Sequence, residues 1–308
     1  MTADDQKTTK TDILISVVIP WHRNEDMLSR AIHSVASTND DGKAEIIIVC
    51  NGEASNKVEF VKTEYAEVKN LVVLSTPVGH ACIARNLGAD NARGEIVAYL
   101  DVDDEFLPRK LTKIEQVYED SEAVYFSKGV RIFPNGTKTI FPYRSPGAGE
   151  PIDEYIFCHG NYLSSSALFL STKAAREIRF TDNLAKNQDL DFIVRAWQRG
   201  YKVIFEEEPL YIYHDELNEG RVSRTSGTEV QIRWGKELLS EPAFYGFLAR
   251  GIAQHEFPRF FFQNSKRFFA AWRYGNIPGY QILMMVFRGL LPITVRAKVL
   301  SIYTRWRA

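Results

Sequence analysis

Residues 95–104 read EIVAYLDVDD, a run of apolar residues from Ile96 to Leu100 that ends in three carboxylates, Asp101, Asp103 and Asp104. A short apolar run bounded by polar residues predicts a strand buried on both faces. In an extended segment Asp101 and Asp103 point the same way. Two carboxylates on one side of a strand end repel unless a cation or a proton sits between them. Hard oxygen donors in an open site suit Mg²⁺ or Mn²⁺ holding a diphosphate. The same residues also suit a strand-end turn whose aspartates cap the helix that follows, and taken alone the motif leaves both uses open.

Three similar runs lie upstream, at residues 13–20 (ILISVVIP), 45–50 (EIIIVC) and 71–76 (LVVLST). Between the first two, Met27, Leu28, Ala31, Ile32 and Val35 recur at helical spacing behind Asn24, a suitable N-cap. Residues 83–92 predict a second helix, closed by Arg93-Gly94. Strands alternating with helices predict a mostly parallel α/β sheet. Ligands of such sheets bind beyond the carboxyl ends of the strands, which places Trp21, His22, Asn51, Gly52 and the three aspartates in one region. Downstream the pattern predicts a helix to about Tyr118, a hairpin around Pro134-Asn135-Gly136, and a Gly/Pro-rich connection over 145–151. A strand over 167–170, an amphipathic helix over 187–199 and two strands over 202–205 and 210–213 follow. Beyond about Gln231 only helical signals remain.

With 308 residues, 45% apolar and 25% charged, the chain has an ordinary globular composition, which sets aside collagenous and disordered classes. The nearest approach to a spanning segment, residues 282–300, is broken by Arg288, Pro292, Arg296 and Lys298. Residues 1–12 are polar and lack the apolar stretch of a secretory signal. Cys50, Cys82 and Cys158 are widely spaced, which excludes a disulfide framework or a CxxC zinc site and fits a reducing cytoplasm. The absence of GxGxxG and GxxxxGK sets aside nicotinamide and P-loop chemistry. A phosphohydrolase of the haloacid-dehalogenase type would also place Asp-x-Asp after a strand. It would want Thr or Val where Glu105 stands, and would open the domain with that motif.

Gly79-His80, Ala84-Arg85-Asn86-Leu87-Gly88 and Ala92-Arg93-Gly94-Glu95 lead into LDVDD in a characteristic order and spacing. The run resembles nucleotide-sugar-dependent glycosyltransferases of family two. The resemblance extends upstream to SVVIPWHRNEDMLSRAIHSV (16–35) and downstream through residue 223, about two thirds of the chain. It implies a Rossmann-like GT-A fold, α/β with a mostly parallel sheet and a helical C-terminal extension. The catalytic domain would cover 13–230, its nucleotide-binding half 13–107 and its acceptor-binding half 108–230, between a flexible tail over 1–12 and a basic, aromatic helical region over 231–308.

Carried over position by position, the resemblance implies that Pro20, Trp21 and His22 line the nucleotide pocket. Asn51 stands where the family has an acidic residue for the base or ribose. Arg85 meets the nucleotide, Asp101 and Val102 contact it at the ribose, and Asp103 binds the metal with His214 as a third metal contact. Arg221 and Ser223 belong to a loop that closes over the diphosphate. Asp189 is the counterpart of the general base, and Gln188 replaces the usual Glu beside it. Asp191 faces away from Asp189 on a helix and reads as a cap or structural carboxylate. The activity implied is inverting, metal-dependent (Mn²⁺ or Mg²⁺) transfer of a hexosyl or N-acetylhexosaminyl group. The donor would be a nucleotide-diphosphate sugar, a UDP-sugar being favoured, and the acceptor a glycan or lipid-linked glycan, as in bacterial surface-polysaccharide assembly. The alternative is a catalytically weak relative that binds nucleotide or glycan at the membrane.

Residues 242–308 contain ten Lys or Arg and one acid, Glu256, although the whole chain has a net charge of −1. The same segment holds 15 aromatic residues. Interleaved cations and rings at helical spacing describe amphipathic helices that lie on a membrane surface, pack on the catalytic domain, or form a homodimer contact. The first of these would make the protein peripheral on the inner face of the cell membrane. No nucleic-acid-binding module is visible.

Overall fold

The computed structural model describes residues 13–39, 41–215 and 227–291. The tail over 1–12, Arg221 and Ser223, and residues 292–308 lie outside the described residues. The described strands are β1 (Ile15–Trp21), β2 (Ala44–Asn51), β3 (Leu71–Thr76), β4 (Ile96–Tyr99), β5 (Glu105–Phe106), β6 (Ala123–Ile132), β7 (Lys138–Phe141), β8 (Leu168–Ser171) and β9 (Lys202–His214). They form one sheet in the order β3-β2-β1-β4-β8-β6-β9-β5, with β7 paired to β6. β1 to β4 are parallel to one another, and β8 is antiparallel to both β4 and β6, so β6 and β9 run with the first four. Only β5, β7 and β8 oppose that direction.

β1, β2 and β4 are buried at every position, as continuous apolar runs predict for strands covered on both faces. The covering helices are α1 (Glu25–Ala36), α2 (Val58–Glu64), α3 (Ala81–Asn91), α4 (Lys110–Val117), α5 (Ile152–Phe157), α6 (Thr172–Ile178) and α7 (Gln188–Gln198). Asn24 caps α1 by accepting from the Met27 amide at 3.1 Å, and Leu28, Ala31, Ile32 and Val35 form its buried face. α3 lies hard against β1: a Cβ on Gly88 would come within 2.3 Å of Val18. Its exit is pinned by buried Glu45, which accepts from the Arg93 amide and Nε (both 2.7 Å) and from Ser16 (2.6 Å). The Ala92-Arg93-Gly94-Glu95 motif thus sets where β4 begins, and hence where Asp101 emerges.

Two sequence expectations change. The strands expected over 202–205 and 210–213 are one continuous strand, β9, with register shifts opposite Ser127, Lys128 and Val130. Glu206-Glu207-Glu208-Pro209 hides the continuity in the sequence. These carboxylates are offset by Lys113, 3.6 Å from Glu206 and 3.2 Å from Glu208, and by Lys128, 2.5 Å from Glu207. The short strand β5 and the helix α2 have no periodic signal, since β5 spans two residues and α2 buries only Val61.

The C-terminal helices are α8 (Thr228–Leu238), α9 (Glu241–Phe247), a π-helical turn (Leu248–Ala253), α10 (Gln254–Glu256), α11 (Phe261–Tyr274) and α12 (Gly279–Leu290). α8 and α9 pack on the sheet domain. Phe247 meets Phe157 and Trp234 with ring centroids 5.5 and 5.4 Å away, and the Ser240 amide donates to Asp153 at 2.8 Å. α11 and α12 close a separate small core around Phe257, Phe268, Ala271 and Met285. Among the described residues no helix is long and apolar enough to cross a membrane, and all three cysteines are free and buried.

Candidate active site

The turn after β4 is built from within. The Asp101 amide donates to Ser166 Oγ (3.1 Å), Ser166 donates to Asp104 (2.6 Å), and the Asp104 amide donates to the Asp101 carbonyl (2.9 Å). Asp104 is fully buried, whereas Asp101, Val102 and Asp103 are half-buried. Arg30 holds the Asp103 carbonyl at 2.9 Å. One carboxylate oxygen from each of the three aspartates lies within 4.8 Å of the others. Such a concentration of hard oxygen donors matches Mg²⁺ or Mn²⁺ in chemistry.

Arg85 joins this turn to α7. Its guanidinium, 5% exposed, forks between Asp101 and Gln188 Oε1, the latter at 2.8 Å, and lies 4.9 Å from the Phe180 ring centroid. Asn86, the next residue, fixes the segment leading to α7 by exchanging two 2.8 Å hydrogen bonds with the Phe180 backbone. Gln188 is held from its other side by donating to the Leu184 carbonyl at 2.8 Å. The first turn of α7 is therefore locked against the end of β4, although the two segments are far apart in sequence.

Asp189 follows directly. Its carboxylate accepts from the Leu190 amide (3.0 Å) and from the Tyr162 hydroxyl (3.4 Å). Lost hydration, and then the nearby Asp101 charge, push its pKa up to about 6, while Arg85 and the amides pull the other way. Asp101 and Asp189 thus lie close enough to act on one another electrostatically. Asp191 points away, as its helical spacing predicts: buried, it accepts from Thr181 (2.7 Å), Arg195 (2.8 Å) and Trp234 (3.0 Å), tying α7 to the segment after α6 and to α8.

At the ends of β1 and β2 the expected nucleotide-lining residues separate into two kinds. Pro20, Trp21 and Asn51 are buried. The Trp21 indole donates to the Asn24 carbonyl at 3.2 Å and stacks on Phe60, so it forms part of the core wall. Asn51 donates to the Val49 carbonyl at 3.4 Å. His22 stays accessible, with Nδ1 3.0 Å from the Asn51 carbonyl and Nε2 3.7 Å from Glu53. Gly52, at φ 56°, is required here, because a Cβ would come within 2.6 Å of the His22 ring and 2.7 Å of Gly79. An open cleft of about 460 Å³ borders His22, Glu53 and Lys57.

His214 ends β9, but its Nε2 lies 2.5 Å from Glu105, which also faces Arg30 at 3.5 Å. Among the described residues it is not in the aspartate cluster. Four supporting residues have no signature in the sequence: Ser166, Arg30, Tyr162 and Lys110. The polar run Ser164-Ser165-Ser166 before β8 is the only hint of the first. Lys110 is fully buried behind the same turn, with Nζ 3.2 Å from the Ala167 carbonyl, 3.4 Å from both the Ser166 carbonyl and Ser127 Oγ, and 5.2 Å from the Phe106 and Phe169 rings. Burial lowers its pKa to about 7.

A mostly parallel sheet with paired acids after its fourth strand, facing a helix-borne carboxylate, is the arrangement of a GT-A fold glycosyltransferase. The family model described as glycosyl transferase family 2 matches residues 16–179, and the chain belongs to that family. The amylovoran biosynthesis glycosyltransferase AmsB of Erwinia amylovora is 30% identical over 72% of this chain and 77% of its own length. The Escherichia coli UDP-Glc:alpha-D-GlcNAc-diphosphoundecaprenol beta-1,3-glucosyltransferase WfgD is 27% identical over 32% of this chain and 39% of its own. Among solved structures, S. aureus TarS 1-349 in complex with UDP-GlcNAc superposes with a TM-score of 0.59 at 17% identity, covering 96% of this chain and 90% of that one. That likeness is one of fold.

Proposed function

We propose that this glycosyltransferase inverts the anomeric centre of a nucleotide-diphosphate sugar, a UDP-sugar being favoured, and delivers a hexosyl or N-acetylhexosaminyl group to a hydroxyl of a glycan or lipid-linked glycan. The observation that carries the reading is Arg85 held between Asp101 and Gln188, because it fixes a candidate base within reach of the carboxylate pair after β4. The relatives named for amylovoran biosynthesis and for glucosyl transfer to a diphosphoundecaprenol acceptor support polysaccharide assembly, and the UDP-GlcNAc complex of the TarS fold supports a UDP-sugar.

In this reading Asp103 would hold the divalent cation, with Asp101 beside it at the ribose, and the cation when bound would supply positive charge to the diphosphate. His22 and the backbone around Asn51 and Val102 meet the nucleoside, with Trp21 and Pro20 as the rigid wall behind them. His214 positions Glu105 at the edge of the site, and Arg221 and Ser223 remain candidates for the diphosphate. Asp189, ionised, takes the proton of the acceptor hydroxyl as its oxygen bonds to the anomeric carbon. The bond from that carbon to the diphosphate oxygen breaks on the opposite face, and the nucleotide diphosphate leaves with the electron pair. Base assistance of this kind contributes about 10²- to 10⁴-fold, and stabilising charge on the leaving group contributes at least as much.

The deciding experiment is a thermal-shift screen of nucleoside diphosphates with and without Mn²⁺, followed by NMR of the product formed from the best donor. A metal-dependent rise in midpoint with a uridine nucleotide, and a product of inverted anomeric configuration, are expected. Retained configuration would remove the single-displacement role of Asp189.

A further inference from the structure

The outward stripe of α12 is Tyr280, Leu283, Met284, Phe287 and Leu290, exposed by 61, 70, 40, 55 and 58%. Its inward stripe holds Gln281, Met285 and Gly289. The helix is inverted: a buried amide that accepts from Arg250 faces the protein, and large apolar side chains face out. α11 also turns large rings outward: Phe262, Phe269 and Trp272 are 83, 61 and 53% exposed, while its buried side holds Phe268 and Ala271 together with Asn264 and Arg267, which bond to one another at 2.8 Å, with Arg267 also paired to Glu256. The two stripes adjoin, since a Cβ on Gly279 at the start of α12 would lie 3.5 Å from the Trp272 indole nitrogen. A helix made for water shows the opposite arrangement, and an apolar face of this extent marks an interaction surface.

The charge around this face identifies what covers it. Among the described residues 257–291 there is no Asp or Glu and there are five Lys or Arg. Lys266 and Arg273 are exposed on α11 among its outward rings, and Arg259 lies beside Phe260 with its guanidinium 4.9 Å from the ring centroid. A second copy of the chain would bring two cationic, acid-free faces together and leave the charges opposed. A nucleic acid would match the cations but not the apolar side chains. An anionic lipid surface matches both, with phosphates for the cations and the headgroup boundary for the rings and leucines.

We infer that the α11–α12 face docks the protein on the surface of an anionic bilayer. Phe262, Phe269, Trp272, Leu283 and Phe287 enter the interface, and the basic residues contact lipid phosphates. Asp101, Asp103 and Asp189 form no part of this face, so the inference stands or falls separately from the transfer reaction.

Full-length protein is sedimented with vesicles of phosphatidylcholine alone and of phosphatidylcholine with about 30 mol% phosphatidylglycerol, at low and high salt. Partitioning to the anionic vesicles at least about tenfold stronger, and weakened by salt, is expected. Leu283→Ser with Phe287→Ser should lower that partitioning by about tenfold or more. Lys266→Glu with Arg273→Glu should abolish the preference for anionic lipid. Circular dichroism, the thermal midpoint and hydrolysis of the sugar nucleotide should be unchanged in both pairs, because these side chains already face outward. Binding to neither vesicle, or full binding by the Leu283/Phe287 pair, overturns the inference. A wild-type dimer that becomes a monomer in that pair, with no vesicle binding, would assign the face to a second copy instead.

Discussion

Arg85 and Gln188 meet at 2.8 Å although 103 residues separate them in sequence, and the same guanidinium also pairs with Asp101. The fork uses two directions of a planar group, which a lysine ammonium cannot reproduce. Arg85→Lys should therefore keep the fold and the charge but lower transfer by about tenfold or more, through loose placement of α7 on the strand-end acids. Gln188→Glu tests the other half of the contact. A second carboxylate on Arg85 would dilute the cation's hold on Asp189 and move the acid limb of the activity profile to higher pH. Steady-state rates across pH 5 to 8 check both, and an unshifted limb in Gln188→Glu would dissociate Arg85 from the base.

Asp189 itself makes the pH prediction quantitative. A carboxyl raised to about 6 is mostly ionised at pH 7, so transfer should fall about tenfold per unit below pH 6. Its effect on stability has the opposite sense. The folded pKa lies above the ordinary value of 3.8, so the contribution of Asp189 to stability is full below about pH 4 and is lost as pH rises through about 6. Asp189→Asn should thus lower transfer by about 10²- to 10⁴-fold and raise stability at pH 8 by on the order of 1 kcal/mol. Paired rate and urea-unfolding measurements would decide it; equal transfer rates would remove Asp189 from the chemistry.

Asp103 should govern the metal. Asp104 is buried on Ser166 and Asp101 is engaged by Arg85, while half-buried Asp103 places a carboxylate oxygen within 4.8 Å of theirs. Asp103→Ala should weaken Mn²⁺-dependent binding of a nucleoside diphosphate by about tenfold or more while leaving metal-free binding unaltered. Titration calorimetry with and without Mn²⁺ distinguishes this from simple loss of fold. Removal of the metal from wild type by chelation should produce the same affinity as the variant.

The parts of this molecule that were legible in its sequence are those governed by repetition. The apolar runs of β1, β2 and β4 declare buried strands, Asn24 and its periodic followers declare α1, and the acids after Leu100 fall at the strand end where the sheet topology needs them; the similar run of β3 is instead a half-buried edge strand, because no described strand pairs on its outer side. What spacing does not encode is the partner across the fold. Nothing near Asp104 names Ser166, and nothing near Arg85 names Gln188. Trp21 illustrates the reverse problem: its place at a strand end suggested a ligand surface, but Phe60 and Lys57 cover its ring, and the indole is core. β9 was split by its charged middle because the lysines that offset those glutamates come from β6 and α4, remote in sequence.

Lys110 provides a test of how the turn is supported from below. The ammonium has only weak oxygen partners at 3.2 to 3.4 Å and two ring faces, and burial brings its pKa down from 10.5 to about 7. The unfolded chain therefore holds this proton more firmly than the folded one between about pH 7 and 10.5. The penalty for burying the charge is full below pH 7 and is relieved as pH rises through that window. Lys110 alone should make stability climb by up to ~1.4 kcal/mol per pH unit above 7. Lys110→Met keeps the volume without the charge, so it should remove that slope and be no less stable than wild type at pH 7. Urea unfolding of both proteins at pH 7, 8 and 9 gives the comparison. A difference between them that does not change with pH would mean that Lys110 keeps its proton inside the fold, and would assign the Ser166 and Ala167 carbonyls a much stronger hold on it than their distances suggest.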